Sequence, residues 1–590
     1  MISPSRSSLV FASVIAFGFL CGCGGSTGSG TSSGGGGTPP ITVASTSAVL
    51  AVSPNPAPAG ATILLTATVS STAGTPTGML TFLDGATSLG TGTLNGGVAT
   101  LQVSTFSAGS SHTLSVSYAG ATGYSTSTSP TVSFTENTAA APSSITAHAT
   151  FDFSKANQTI AGFGGAEAFY LSYLDSHPYA SEIYTALFDP QKGLGLTFLR
   201  LQNLYYQYSG NNATFDPDTP LIVAAANAAH GTPLTLLMSS WSPPAAIKST
   251  GNVNSGGTLA TVNGGYDYAD FATFWYNSLA AYATQGVVPA YISIQNEPDF
   301  TATYASCRFN PTEAPVNGAS YAGYGLAFDA VYKKLQTMAS PPQMVGPETF
   351  STDSFLATAA QIPSNEVAAY AHHLYNVNSN EAVNTPDAGL TSYAALAATY
   401  PTQTKFETEY YMYPGFYNAW DIHNALTVAN DNAYLYWQLA WPSTVYTAGQ
   451  GADQEGLLYI DNPFAGSANF LAPHGWAYND AYYAMKHYSY YVRPGYIRYN
   501  AAVDNTDERV SVFQSPDKKT TVIVAINTST SVTDGLSLSL GGVSYASSTV
   551  FRSSFATPIA TGERWANLGA YSSTGISLPP ESVITVVLSN

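Results

Sequence analysis

Tyr291-Ile-Ser-Ile-Gln-Asn-Glu-Pro298 is a short apolar run that ends on a carboxylate and is closed by a proline. Thr404-Lys-Phe-Glu-Thr-Glu-Tyr-Tyr411 has the same design, again with an acid where the strand stops. Around these two lie six further strand-like runs: Ile160 to Gly164, Thr197 to Gln202, Leu234 to Ser240, Met344 to Pro347, Ala368 to Tyr375 and Tyr434 to Leu439. Stretches with apolar residues at three-to-four spacing separate them, for example Tyr268 to Thr284 and Tyr321 to Met338, as in amphipathic helices. Eight alternating β/α units predict a (β/α)8 TIM barrel over residues 145–490. A site in such a barrel forms at the C-terminal strand ends, where both acids would project.

On either side the pattern changes to antiparallel β. From 43 to 136, runs at Ile63 to Val69, Met79 to Leu83, Val98 to Val103 and His112 to Tyr118 are punctuated by Asp84-Gly85 and Asn95-Gly96. In the last run Leu114, Val116 and Tyr118 alternate with Thr113, Ser115 and Ser117, the period of a half-buried strand. An Ig-like all-β sandwich is expected there, followed by a linker at 137–144. A β-sandwich over 491–590, joined by a strand at 145–153, is expected beside the barrel. Gly78 to Gly85 is similar to bacterial Ig-like repeats, and a spacing role is expected for this domain.

Arg6 precedes the apolar run Leu9 to Leu20, too short to span a bilayer and suited to a signal-peptide core. Leu20-Cys21-Gly22-Cys23 resembles a bacterial lipobox, so 1–22 is expected to be removed and Cys23 acylated, with 23–42 as a Gly/Ser/Thr-rich tether. The expectation is an exported outer-membrane or cell-surface lipoprotein, otherwise a secreted protein, bound to membrane only through that anchor. Apart from Cys21 and Cys23 of the lipobox, Cys307 is the one cysteine, which excludes a disulfide framework or a Cys-ligated metal site.

Seventeen basic against 35 acidic residues give a charge of −18, which repels phosphate backbones and argues against nucleic acid. Forty Tyr and seven Trp suit a neutral polysaccharide or oligosaccharide instead. Two carboxyls on facing strand ends suit glycosidic-bond hydrolysis; retention needs them about 5–5.5 Å apart, one to protonate the leaving oxygen and one to attack the anomeric carbon. Glu297 and Glu409 are the candidates. Glu407, two residues from Glu409 and on the same strand face by parity, competes with it. Arg200, ending the second strand, is expected to keep a carboxylate ionised or to make a structural ion pair. Trp241, Trp437 and Tyr411, near strand ends, would form an aromatic floor for a sugar ring. Glu348, ending the fifth strand, is read as support. His372 and His373 are neighbours on a strand and point to opposite faces, so they cannot chelate one ion, and no His-Glu-x-x-His string is present. Neither a metal nor a cofactor is expected, and a monomer is.

Several strings in one order resemble glycoside hydrolase family 30, most closely its bacterial xylanase branch. They are Ile160-Ala-Gly-Phe-Gly-Gly165, Leu199-Arg200, Ser240-Trp-Ser-Pro-Pro244, Ile292 to Asp299, His373-Leu-Tyr375, Thr408-Glu-Tyr-Tyr411 and Tyr491-Val-Arg-Pro-Gly-Tyr-Ile-Arg498. The resemblance implies Glu297 as acid/base, Glu409 rather than Glu407 as nucleophile, and a side β-sandwich. It also implies that Asn296 contacts a sugar 2-hydroxyl and that His373 and Tyr375 line the site, with His372 packing against helices. Members that require a glucuronate branch carry arginines just after the eighth strand. Here Tyr436-Trp-Gln-Leu-Ala-Trp-Pro442 has none, and Arg308, in the loop after Glu297, is read as a surface charge in preference to a substitute anion contact. The expectation is hydrolysis of β-1,4-xylan or xylo-oligosaccharides without strict glucuronate dependence. The alternatives are β-glucosidase or β-1,6-glucanase activity, or a non-catalytic carbohydrate-binding adhesin.

Overall fold

The computed structural model describes residues 43–590 except 58, 60, 105, 108, 138–140, 206–215, 376–384, 443–445, 448–449, 452–454, 462–473 and 560–561. The expected signal segment, the tether and Cys23 lie outside the described residues. No described helix is long and apolar enough to cross a membrane.

Eight parallel strands close into a barrel: Gly162–Glu167, Phe198–Gln202, Thr235–Ser239, Tyr291–Ser293, Gln343–Thr349, Val367–His373, Lys405–Tyr410 and Ala433–Tyr436. All eight lie where the sequence predicts them, with ends moved by a few residues. Alternate side chains divide the apolar core in two. Leu199, Leu201, Leu236, Met238, Ile292, Ile294 and Met344 point outward and pack under the helices. Phe198, Leu237, Val345, Ala369, Ala371, Phe406, Ala433 and Leu435 fill the interior of the closed sheet. The first strand is thin because its neighbours are close: a Cβ on Gly164 would collide with Phe198, and one on Gly165 would come within 2.9 Å of the Tyr436 carbonyl.

The predicted helices form as Tyr268–Ala283 and Tyr324–Leu335. The first is capped by Asp267, whose carboxylate accepts the Asp270 N–H at 3.0 Å. Phe271, Trp275, Leu279 and Tyr282 make its buried stripe.

Two expectations about strand ends need correction. The fourth strand stops at Ser293, so Glu297 lies beyond it in a turn with φ of 45°. The sixth stops at His373, leaving Tyr375 in the loop that follows. A third correction concerns parity. Pairing between strands six and seven runs from His372 with Glu407 to His373 with Glu409, a register shift that inserts one residue. Glu407 and Glu409 therefore face opposite sides of the sheet, and only Glu409 enters the barrel mouth.

The N-terminal domain has a three-stranded sheet, Ser47–Ser53, Ile63–Ser70 and Val98–Val103, and a five-stranded one built around Met79–Asp84 and Ser111–Tyr118. Leu65, Ala67, Leu80, Phe82, Leu114 and Val116 supply its core. At the other end nine strands follow one hydrogen-bonded path. Within it Ala147–Thr159 runs between Ile497–Val503, antiparallel, and Asp534–Ser539, parallel. This long strand ties the segment before the barrel into the β-rich domain after it.

Candidate active site

Arg200 lies at the centre of the mouth, fully buried on the second strand. Its Nη1 donates to Glu409 Oε2 at 2.5 Å, its Nε to Glu348 Oε1 at 3.1 Å, and its Nη2 to Glu348 Oε2 at 3.2 Å and Asn296 Oδ1 at 2.6 Å. One guanidinium thus holds two carboxylates and an amide in a single plane of donors. Because the Asn296 oxygen faces Arg200, its NH2 group is left as the donor available to a ligand. The guanidinium carbon sits 4.8 Å from the centre of the Trp241 ring, which seals it from water.

Glu297 meets this group from the other side. Its backbone N–H donates to the Glu348 carbonyl at 2.9 Å, which pins its turn to the fifth strand. His373 Nδ1 stands 3.2 Å from Glu297 Oε1. One oxygen of Glu297, one of Glu409 and a ring nitrogen of His373 all lie within 4.8 Å of one another. Tyr375 OH donates to the second oxygen of Glu409 at 3.4 Å.

Burial pushes the carboxyls of Glu297 and Glu409 above the ordinary range, and their mutual repulsion adds to it for Glu297. The Arg200 charge pulls both back down, but of the two only Glu409 is also hydrogen-bonded to it. One proton shared by the pair therefore rests on Glu297, and the negative charge rests on Glu409. His373 is held neutral by burial and by the Arg200 charge nearby. Glu297, His373 and Glu409 could together grip a cation, although Arg200 already supplies the positive charge at Glu409.

The aromatic rim continues the site outward. Trp241 and Trp437 stand with ring centres 6.2 Å apart. Trp437 Nε1 and Tyr411 OH each donate to Glu455 at 3.4 Å, and the Tyr411 ring lies 6.4 Å from that of Tyr375. The structure thus brings together Glu297, Glu409, Asn296, Arg200, His373, Tyr375, Trp241, Trp437 and Tyr411. Glu348 binds Arg200 through its side chain and Glu297 through its backbone. Arg308 is half-buried rather than a free surface charge; its guanidinium lies 5.3 Å from the centre of the Tyr321 ring and donates to Thr301.

Phe169, Tyr304 and Glu455 escaped the sequence reading. Phe169 presents its ring edge-on to Trp437 at 5.5 Å and to Tyr304 at 5.8 Å. All three lie in loops, where spacing gives no direction to a side chain; a position just past the first strand was the one available signal for Phe169.

The glycosyl hydrolase family 30 TIM-barrel domain model matches residues 202–309, which hold the third and fourth strands and Glu297. The bacterial Ig-like domain (group 3) model matches residues 50–137. The catalytic domain of a GH30 xylanase C from Talaromyces cellulolyticus superposes with a TM-score of 0.57 at 21% identity, covering 75% of this chain and 100% of that one. A family 30 subfamily 8 xylanase from Clostridium acetobutylicum gives 0.53 at 21%, over 75% and 100%. An endo-β-1,6-glucanase gives 0.56 at 15%, over 75% and 94%. The chain thus has an Ig-like domain and a closed (β/α)8 barrel in which residues 202–309 match the family 30 model, a match that supports a glycosidase.

Proposed function

We propose that the protein is a glycosidase that cleaves β-1,4-xylan or xylo-oligosaccharides with retention of configuration. Glu297 protonates the leaving oxygen while Glu409 attacks the anomeric carbon. Water then displaces Glu409, giving its proton back to Glu297. The observation that carries this reading is that one oxygen of Glu297 lies within 4.8 Å of one oxygen of Glu409, an approach that suits the roughly 5–5.5 Å carboxyl separation of double displacement better than the roughly 6.5–9.5 Å that leaves room for an attacking water. The unequal hold of Arg200 supplies the two roles, an acid on one side and an anion on the other. The Asn296 amide would donate to the 2-hydroxyl as charge develops on the ring.

The Arg200 guanidinium is already engaged with Glu348, Glu409 and Asn296. A neutral backbone glycan therefore suits the site better than an obligatory uronate branch. The xylanase likenesses favour xylan, and the glucanase likeness makes β-1,6-glucan the second reading. Release of reducing sugar from glucuronoxylan, arabinoxylan, linear xylo-oligosaccharides, β-1,6-glucan and β-1,4-glucan, by wild type and Glu409→Gln, tests the proposal. Cleavage of linear and decorated xylans alike, abolished in the variant, is expected. Cleavage of glucan alone would transfer the site to the second reading, and cleavage of glucuronoxylan alone would overturn the neutral-glycan assignment.

A further inference from the structure

Glu409 reaches the barrel mouth because its strand carries one residue too many. Phe406 belongs to the interior cluster, so strict alternation would put Thr408 inside and both glutamates against the helices. The bulge between Glu407 and Tyr410 reverses this for Glu409 alone. What holds the bulge is visible behind it. Glu407 Oε1 accepts the backbone N–H of Glu409 at 3.1 Å. Its other oxygen stands 3.0 Å from His372 Nδ1, and His372 Nε2 lies 3.1 Å from Asp431 Oδ2. Glu407, His372 and Asp431 have no solvent exposure, and the rings of Phe355 and Tyr393 pack edge-on against His372. Such charges are costly to bury unless they face opposite ones; here the imidazole lies between two carboxylates, hydrogen-bonded to Asp431 and at ion-pair distance from Glu407.

We infer that Asp431, His372 and Glu407 form a positioning relay that locks the bulge and aims Glu409 at the anomeric centre. Glu407 touches no substrate; it acts through the Glu409 backbone. The inference rests on the reading of Glu409 as nucleophile. Removing the acceptor lets the strand return to regular pairing, which swings the Glu409 carboxylate away from Arg200. A displacement of about 1 Å at a reacting atom costs roughly 100-fold in rate.

The test compares wild type, Glu407→Leu, Glu407→Gln and Glu409→Gln by crystal structure and by kcat and KM per folded molecule. Glu407→Leu, of similar size but without an acceptor, is expected to lose the Glu409 to Arg200 contact and about 100-fold in kcat, with KM within about 3-fold. Glu407→Gln keeps an oxygen for the Glu409 N–H but loses the pull of His372, and is expected to retain the bulge with kcat down about 10-fold. A Glu407→Leu crystal with the bulge and the Arg200 contact intact would overturn the inference, as would wild-type kcat in that variant. Should Glu407→Leu not fold, wild-type kcat in Glu407→Gln overturns it. An active Glu409→Gln would instead remove the nucleophile reading, while the crystal of the leucine variant still reports whether Glu407 holds the bulge.

Discussion

Arg200 contacts Glu409 at 2.5 Å and makes no hydrogen bond to Glu297, although the two acids share one mouth. That asymmetry separates their chemistry. Two buried carboxyls close together cannot both ionise, and the one beside the guanidinium keeps the charge. Strand position alone would not do this, since both acids lie at the same end of the barrel.

Replacing Arg200 by Gln removes the group that pulls the Glu409 carboxyl down. The acid limb of the kcat/KM profile, which reports ionisation of Glu409, is expected to move to higher pH, with kcat reduced about 100-fold or more. The variant also leaves Glu348 buried without its partner, so a stability loss of about 3–5 kcal/mol is expected in denaturant unfolding.

On the proposed mechanism Glu297→Ala removes the proton donor but not the nucleophile. Turnover of xylan is expected to fall about 10²- to 10⁴-fold. Turnover of an aryl xyloside whose leaving group needs no proton should fall much less in the first step. Equal losses on both substrates, read from the burst and steady-state rates, would contradict the acid role.

Trp437→Ala opens the aromatic floor between Phe169 and Trp241. A ring-stacking loss of about 0.5–1.5 kcal/mol predicts a KM raised up to about 10-fold on oligosaccharides, with kcat changed less. Steady-state kinetics over xylobiose to xylohexaose check it.

Much of this was legible from residue order, because short apolar runs alternating with stretches of helical spacing mark both the elements and their order. The eight strands follow from runs such as Thr197 to Gln202 and Leu234 to Ser240, whose outward leucines also make the core. Parity failed at Glu407 and Glu409, since a bulge leaves no mark on hydrophobic periodicity. Strand ends failed at Glu297, held past its strand in a left-handed turn by the Glu348 carbonyl. Phe169 and Tyr304 were invisible for a different reason: their placement comes from tertiary contact between loops, which no local pattern encodes.

The β-rich domain carries a separate pH response. Burial, with Asp534 beside it, pushes the Glu508 carboxyl up to about 9. Its folded value exceeds the unfolded one, so the native state binds more protons between them. Stability from this group is full below about pH 4 and is lost as pH rises through about 9. Glu508→Gln, neutral throughout, is expected to flatten the fall in Tm between pH 5 and 9, measured by calorimetry.

The configuration of the first product, followed by proton NMR during hydrolysis of xylohexaose, tests most directly whether Glu297 and Glu409 act on one anomeric centre. The β-anomer is expected first, with α appearing only as mutarotation proceeds. An α-anomer formed first would mean direct attack by water, and would contradict a nucleophilic Glu409.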